Sequence, residues 1–183
     1  MSGTTAEHSA QESSSSEALY FWKPDSRLGG FLSQWTSSAF SDGRHEFSNA
    51  EQYMMYRKAL LFSPTGDSDA VVRTILGESD PRRMRALGRK VRGFDQALWD
   101  AEKYQIVLEG NLLRFRGNPE CRAKLLATGR RELVEASRYD RVWGIGFSEL
   151  QAPTVDRARW GENLLGKVLM EVRDVLLEES GVE

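Results

Sequence analysis

Glu51, Lys103 and Asp140, together with Trp99 and Trp143, are the residues of this 183-residue sequence whose types and spacing suit covalent chemistry. Glu51 and Asp140 are candidates for a carboxylate pair that divides the roles of proton donor and acceptor. Lys103 offers an amine, which becomes a nucleophile towards an imine or carbonyl carbon when burial beside aromatic surface lowers its pKa. Trp99 precedes Lys103 by one helical turn, so both can point into one pocket. Indole faces suit stacking on a purine or pyrimidine, although plain core packing is the commoner fate of tryptophan. Trp143 lies in the Gly-rich stretch Asp140–Gly146. There the amides around Gly144 and Gly146 are available to a ligand.

Each candidate has a structural reading beside the chemical one. In Ser48-Asn49-Ala50-Glu51 the spacing fits a capping box, in which the Glu51 carboxylate bonds the Ser48 backbone amide. Lys103 fits equally a surface lysine paired with a neighbouring carboxylate. Gly161 and Asn163 precede the last helical segment, whose N-terminal amides can hold a phosphate or simply start a helix. Arg89 belongs to a basic run with Arg82, Arg83, Arg85, Lys90 and Arg92. Such a run is a solvated helical face or a surface that tracks phosphates.

Other chemistries fit poorly. His8, His45 and Cys121 cannot supply a typical zinc site without several carboxylates. No Gly-rich loop ends in Gly-Lys-Ser/Thr. Gly144-Ile145-Gly146 lacks the third glycine and preceding strand of a dinucleotide fingerprint. No serine sits in a nucleophile elbow. No metal and no cofactor are therefore expected. The single cysteine excludes an internal disulfide and suits a reducing compartment. The formal net charge of −2 argues neither for nor against a polyanionic partner. With no apolar run of membrane-span length and no visible secretory signal, the sequence predicts a cytoplasmic or nuclear protein without a membrane partner. Residues 1–18 are polar and Ser-rich and read as a disordered tail. Residues 19–180 read as one domain.

The elements that must position these residues are mostly helical. The pattern predicts a buried helix from Ser48 to Leu61 and a second from Asp67 to Leu76. A third opens at Asp80-Pro81, an N-cap and first-turn proline, and runs through Met84, Leu87 and Val91. The longest starts at Asp95, with Leu98, Ala101, Gln105, Leu108, Leu112 and Phe115 on one face and Trp99, Lys103, Ile106 and Leu113 on the neighbouring line. Asn118-Pro119 opens a short helix that stops at Gly129. Glu132–Ala136 is a candidate strand, and Ser137–Arg159 a functional loop. The closing helix begins near Glu162, with Leu165, Val168, Leu169, Val172 and Leu176 as its core face. Short strands or a hairpin are expected between Leu19 and Phe47. The class is mainly α (α+β): one compact helical domain with a small β element.

Taken together, these segments resemble the YbiA-like (NADAR) family over roughly residues 21 to 177. The motifs run from Phe31-Leu32-Ser33-Gln34-Trp35 and Ala50-Glu51-Gln52-Tyr53 through Leu87-Gly88-Arg89 and Trp99-Asp100-Ala101-Glu102-Lys103. They continue with Leu125–Gly129, Leu133-Val134-Glu135, Asp140–Gly146, Gly161–Gly166 and Leu169–Arg173. Singly these are unspecific; their order and spacing carry the likeness. Gln52 stands where the family usually has His, Gln34 where Asn is usual, and Ile145 where a polar residue is common.

The resemblance implies an enzyme that hydrolyses the N-glycosidic bond between ribose C1 and a base nitrogen, with Glu51, Trp99, Lys103, Asp140 and Trp143 matching the family's motif positions. It implies two substrate classes, ADP-ribose attached to guanine in nucleic acid and the ribosylamino-pyrimidine phosphates of riboflavin synthesis. The first is the expected one here. A non-catalytic module that binds ADP-ribose or NAD is the alternative from another class. Breaking such a bond builds positive charge on the sugar carbon and negative charge on the departing nitrogen. Either a carboxylate-activated water or an imine exchange at Lys103 would then resolve the sugar.

Overall fold

The computed structural model describes residues 18–181. All but the last residue of the expected Ser-rich tail therefore lies outside the described residues. Among the described residues six α-helices carry the fold: α1 (Ala50–Leu61), α2 (Ala70–Leu76), α3 (Pro81–Gly88), α4 (Gln96–Gly117), α5 (Pro119–Leu126) and α6 (Leu164–Glu179). Strand β1 (Leu19–Phe21) pairs in parallel with β4 (Leu133–Glu135), in the register Leu19↔Leu133 and Phe21↔Glu135. Between them in sequence, β2 (Phe40–Ser41) and β3 (Glu46–Phe47) form a short antiparallel hairpin. The mainly helical class with a small β element is what the structure shows.

Side-chain caps fix where the helices begin. Asp80, Asp95 and Asn118 each accept a backbone N–H from the first turn of α3, α4 and α5, which satisfies donors that the helix itself leaves open. The second helix starts later than its sequence suggests. Residues 66–68 form a 3-10 turn, and Asp69 rather than Asp67 accepts the first amides of α2. Helix α3 stops at Gly88, short of Val91.

Two large apolar clusters and a small third one, Val134 with Ile145 and Ala152, make the core of the described residues. Of the large two, one joins α4, α5 and α6 to β1 and β4; the other joins α1, α2, α3 and the hairpin to the first half of α4. Trp143 and Met54 pack against both. On α4 the inward line is Trp99, Ile106 and Val107, whereas Leu98, Ala101 and Gln105 face out. The expected apolar line holds only from Leu108 onward; over the first turns the neighbouring line, through Trp99 and Lys103, turns inward to a cleft and leaves Leu98, Ala101 and Gln105 to solvent. The α1 helix crosses α3 and α4 at small residues. A Cβ on Gly88 would meet Met55 Sδ at 2.1 Å, and one on Gly110 the Tyr53 ring at 2.4 Å.

Candidate active site

A cleft of about 870 Å³ opens among α1, α3, the start of α4 and the loop after β4. Glu51 lies on its wall with 6% of its surface exposed. Helix α1 is capped without it. Asn49 Oδ1 accepts the Gln52 N–H at 2.9 Å, and Gln52 Oε1 accepts the Ser48 N–H at 2.7 Å. The reciprocal cap is thus shifted one residue from Ser48/Glu51, and the Glu51 carboxyl is not the capping group. Burial pushes that carboxyl up to about 7, against the Arg85 charge and a hydrogen bond from the Trp35 side chain, which both lower it.

Trp35 reaches Glu51 because α4 holds the loop that carries it. Arg114, fully buried, donates to the carbonyls of Phe31 (2.6 Å) and Ser33 (3.2 Å). Asn111 Nδ2 donates to Gln34 Oε1 at 3.1 Å, and the Glu51 N–H bonds the Gln34 carbonyl at 3.1 Å. Trp35 follows directly.

A second carboxyl, Glu135 at the end of β4, lines the same cleft. Burial, then the charges of Asp140 and Glu51, raise it to about 8, with Arg85 opposing. Its Oε2 is buried and has no hydrogen-bond partner among the described residues. Asp140 also lines the cleft, but one oxygen is committed. Its Oδ1 accepts the N–H groups of Val142 (2.9 Å) and Trp143 (2.8 Å), which fixes the turn that presents Trp143. The other oxygen lies 3.9 Å from Arg85 Nη2.

Cations and indoles form the rest of the wall. Trp99 is buried, and Lys58 Nζ lies 5.2 Å from the centre of its ring. Burial lowers the Lys58 pKa, while the Glu51 charge opposes that fall. Lys103 lines the cleft with its ammonium 2.5 Å from Asp100 Oδ1. The basic run divides: Arg85 on α3 and Arg89, the residue that caps its C-terminus, border the cleft, whereas Arg82, Arg83, Lys90 and Arg92 do not.

Six of the ten residues singled out by sequence therefore share one cleft: Glu51, Lys103, Asp140, Trp99, Trp143 and Arg89. Gly144, Gly146, Gly161 and Asn163 stand behind it as scaffold. Segment 161–165 donates its amides in series to the carbonyls of Ile145, Arg141, Gly144, Val142 and Trp143. The Leu164 and Leu165 amides at the start of α6 are thus already occupied and are not open to a phosphate. A Cβ on Gly161 would lie 2.3 Å from the Arg141 carbonyl oxygen, and one on Gly144 would lie 2.8 Å from that of Glu135. Gly146 has φ +76°, a turn conformation that glycine adopts without strain. Asn163, at φ 53°, accepts the Glu135 N–H (2.9 Å) and donates to the Leu133 carbonyl (2.9 Å), tying β4 to α6. Ile145 is core, buried with Val134 and Ala152.

Among the lining residues not singled out as functional from sequence, Lys58, Glu135 and Trp35 each had a signal. Lys58 lies seven positions after Glu51, on the same helix face. Glu135 ends the predicted strand just before the predicted loop. Trp35 closes the Phe31–Trp35 motif.

A buried carboxyl beside a half-buried one, in a cationic, tryptophan-walled cleft on a helical α+β scaffold, is a setting for acid–base chemistry. The NADAR domain matches residues 20–177, and the chain belongs to that family. It is 43% identical over 149 residues to N-glycosidase R617 of Acanthamoeba polyphaga mimivirus, covering 78% of this chain and 85% of that protein. It is 39% identical over 134 residues to protein irg-1 of Caenorhabditis elegans, covering 72% and 61%. The fold matches the NMR structure of Escherichia coli YbiA with a TM-score of 0.71 at 23% identity, covering 91% of this chain and 89% of that one.

Proposed function

We propose that this chain is an N-glycosidase that removes ADP-ribose from guanine. Glycosidase chemistry is supported at family level by the relatives that bear that name. The observation that carries the reading is Glu51, a buried carboxyl whose pKa of about 7 lets it hold or release a proton near neutrality at the wall of the cleft. In its protonated form it donates to the departing base nitrogen as the C1–N bond breaks and the bonding pair leaves with the base. The resulting carboxylate, with Asp140, stabilises the positive sugar carbon. The carboxylate then takes a proton from water as the water oxygen bonds to C1, and the starting state returns. An acid–base group of this kind contributes roughly 10²–10⁴-fold.

The larger substrate is favoured by the cleft itself. At 870 Å³ it lies near the upper end of the range of roughly 300–1,000 Å³ seen for small-molecule sites. Trp99 and Trp143 supply stacking faces, and Arg85, Arg89, Lys58 and Lys103 supply charge for a diphosphate. The Lys103 amine is engaged by Asp100, which ties up the group that an attack on carbon would need.

The test is a substrate panel. Base release from oligonucleotides bearing ADP-ribosylated guanine, lost in Glu51→Gln, is expected. Release only from ribosylamino-pyrimidine phosphates would move the assignment to that substrate class, and binding without release to a non-catalytic module. Borohydride added during turnover, followed by mass spectrometry, is expected to leave Lys103 unmodified. A ribosyl mass on Lys103 would replace the water step with imine exchange.

A further inference from the structure

Beside the reaction cleft, the described residues form a second, shallower cavity of about 430 Å³. Three cations line it, Arg27, Lys124 and Arg131, and no carboxylate does. Lys124 is paired with Glu120 at 2.6 Å, whereas Arg27 and Arg131 have no ion-pair partner among the described residues.

One loop separates the two cavities and forms a wall of each. Trp22 and Lys23 line the cleft; Ser26 and Arg27, a few residues on, line the groove. The turn is held in shape by Ser26 Oγ, which accepts the N–H groups of Trp22 (3.3 Å) and Lys23 (3.1 Å). On the cleft side the Trp22 and Tyr139 rings lie 5.9 Å apart, tilted by 48°. Lys23 Nζ sits 4.4 Å from the Trp22 ring centre, and the Arg138 guanidinium 4.7 Å from that of Tyr139. Tyr139 is 71% exposed. Flat aromatic surface turned to solvent, flanked by cations and joined through one short loop to a cationic groove, is the combination that grips single strands: bases stack on the rings, and the backbone follows the charge.

We propose that the cleft mouth and this groove form a path for single-stranded nucleic acid flanking the nucleotide held in the cleft. A neighbouring base stacks on the Trp22–Tyr139 pair, and backbone phosphates run past Arg27 and Arg131. The proposal rests on the reading of the cleft as a nucleotide site, and deepens it. An acidic peptide would match the charge but would offer the rings no flat base.

The experiment is fluorescence anisotropy with a labelled, unmodified single-stranded DNA oligonucleotide, using the full chain. Tyr139→Ala is expected to weaken binding about ten-fold, as is replacing the bases by abasic sites. The double variant Arg27→Glu/Arg131→Glu is expected to weaken binding and to flatten its dependence on salt. That double variant should also raise KM for a modified oligonucleotide and leave turnover of free ADP-ribosylated guanine nucleotide unchanged. Binding untouched by these variants, equal binding of the abasic strand, or equal competition by polyglutamate would overturn the path. If no ADP-ribosylated guanine is cleaved, the glycosidase assignment falls, while the binding measurements still decide the path.

Discussion

Gln52 Oε1 accepts the Ser48 backbone N–H at 2.7 Å, and its Nε2 reaches the carbonyls of Ile75, Leu76 and Glu78 at 3.0–3.1 Å. One amide side chain thereby closes the N-terminus of α1 and ties down the end of α2. The carboxyl next to it is left to the cleft. Capping and chemistry, which compete for Glu51 in the sequence pattern, are divided between two adjacent residues.

That division predicts opposite behaviour for the two positions. Gln52→Ala removes a cap and leaves buried carbonyls without a donor, so it should destabilise the fold by roughly 2–4 kcal/mol. Glu51→Gln keeps an acceptor for Trp35 and should leave the fold at least as stable while abolishing base release. Urea unfolding beside a turnover assay checks both. A Glu51→Gln protein that unfolds early would return Glu51 to a structural role.

The raised Glu51 pKa fixes the sign of a stability change with pH. Folding lifts the group from 4.5 to about 7, so the folded state binds the extra proton between those values and loses stability as pH rises through them. Gln mimics the protonated acid at every pH. Glu51→Gln should therefore match the parent near pH 4.5 and exceed it by about 3 kcal/mol above pH 7, from the cost of ionising the buried carboxyl. Chemical denaturation at the two pH values reads the difference. An equal offset at both would contradict the burial argument.

Much of the scaffold was legible because it is encoded locally. Asp80-Pro81, Asp95 and Asn118-Pro119 announce helix starts through short-range capping, and the α6 core face repeats at helical spacing. What escaped depends on distant partners. The register of α4 fails over its first turns because the line through Trp99 and Lys103, not the one through Leu98 and Ala101, turns inward to the cleft, and spacing alone cannot tell the two lines apart. The β1–β4 pairing joins segments far apart in sequence, and it is what places Glu135 beside the cleft. Gly161 and Asn163 do have a constrained geometry, but the constraint comes from the 141–145 turn rather than from a phosphate.

Asn163 should accordingly matter to stability and, through Glu135, to rate. Asn163→Ala removes one buried and one part-buried hydrogen bond and puts a Cβ residue without local compensation at φ 53°, for a loss of roughly 2–4 kcal/mol. Asn163→Gly relieves the backbone alone and should recover about 1 kcal/mol of that. In both variants kcat should fall, because the Glu135 amide loses its partner. Thermal unfolding that ranks glycine no better than alanine would mean that the left-handed backbone carries no strain.

The pH profile of turnover tests the electrostatics of the cleft most directly. With Glu51 as proton donor, kcat/KM should fall about ten-fold per pH unit above neutrality, and the apparent value belongs to the interacting carboxyls together. Arg85 is the largest influence holding the Glu51 pKa down, and it also lowers that of Glu135; the Trp35 hydrogen bond acts on Glu51 in the same direction. Removing either favours the protonated acid. Arg85→Ala should move the alkaline limb to higher pH, and Trp35→Phe should do so by less. Arg85→Ala also removes a cation from the cleft wall, so its KM should rise while the limb shifts. A limb that moves to lower pH in Arg85→Ala would show that the group titrating there is not a carboxyl facing that arginine.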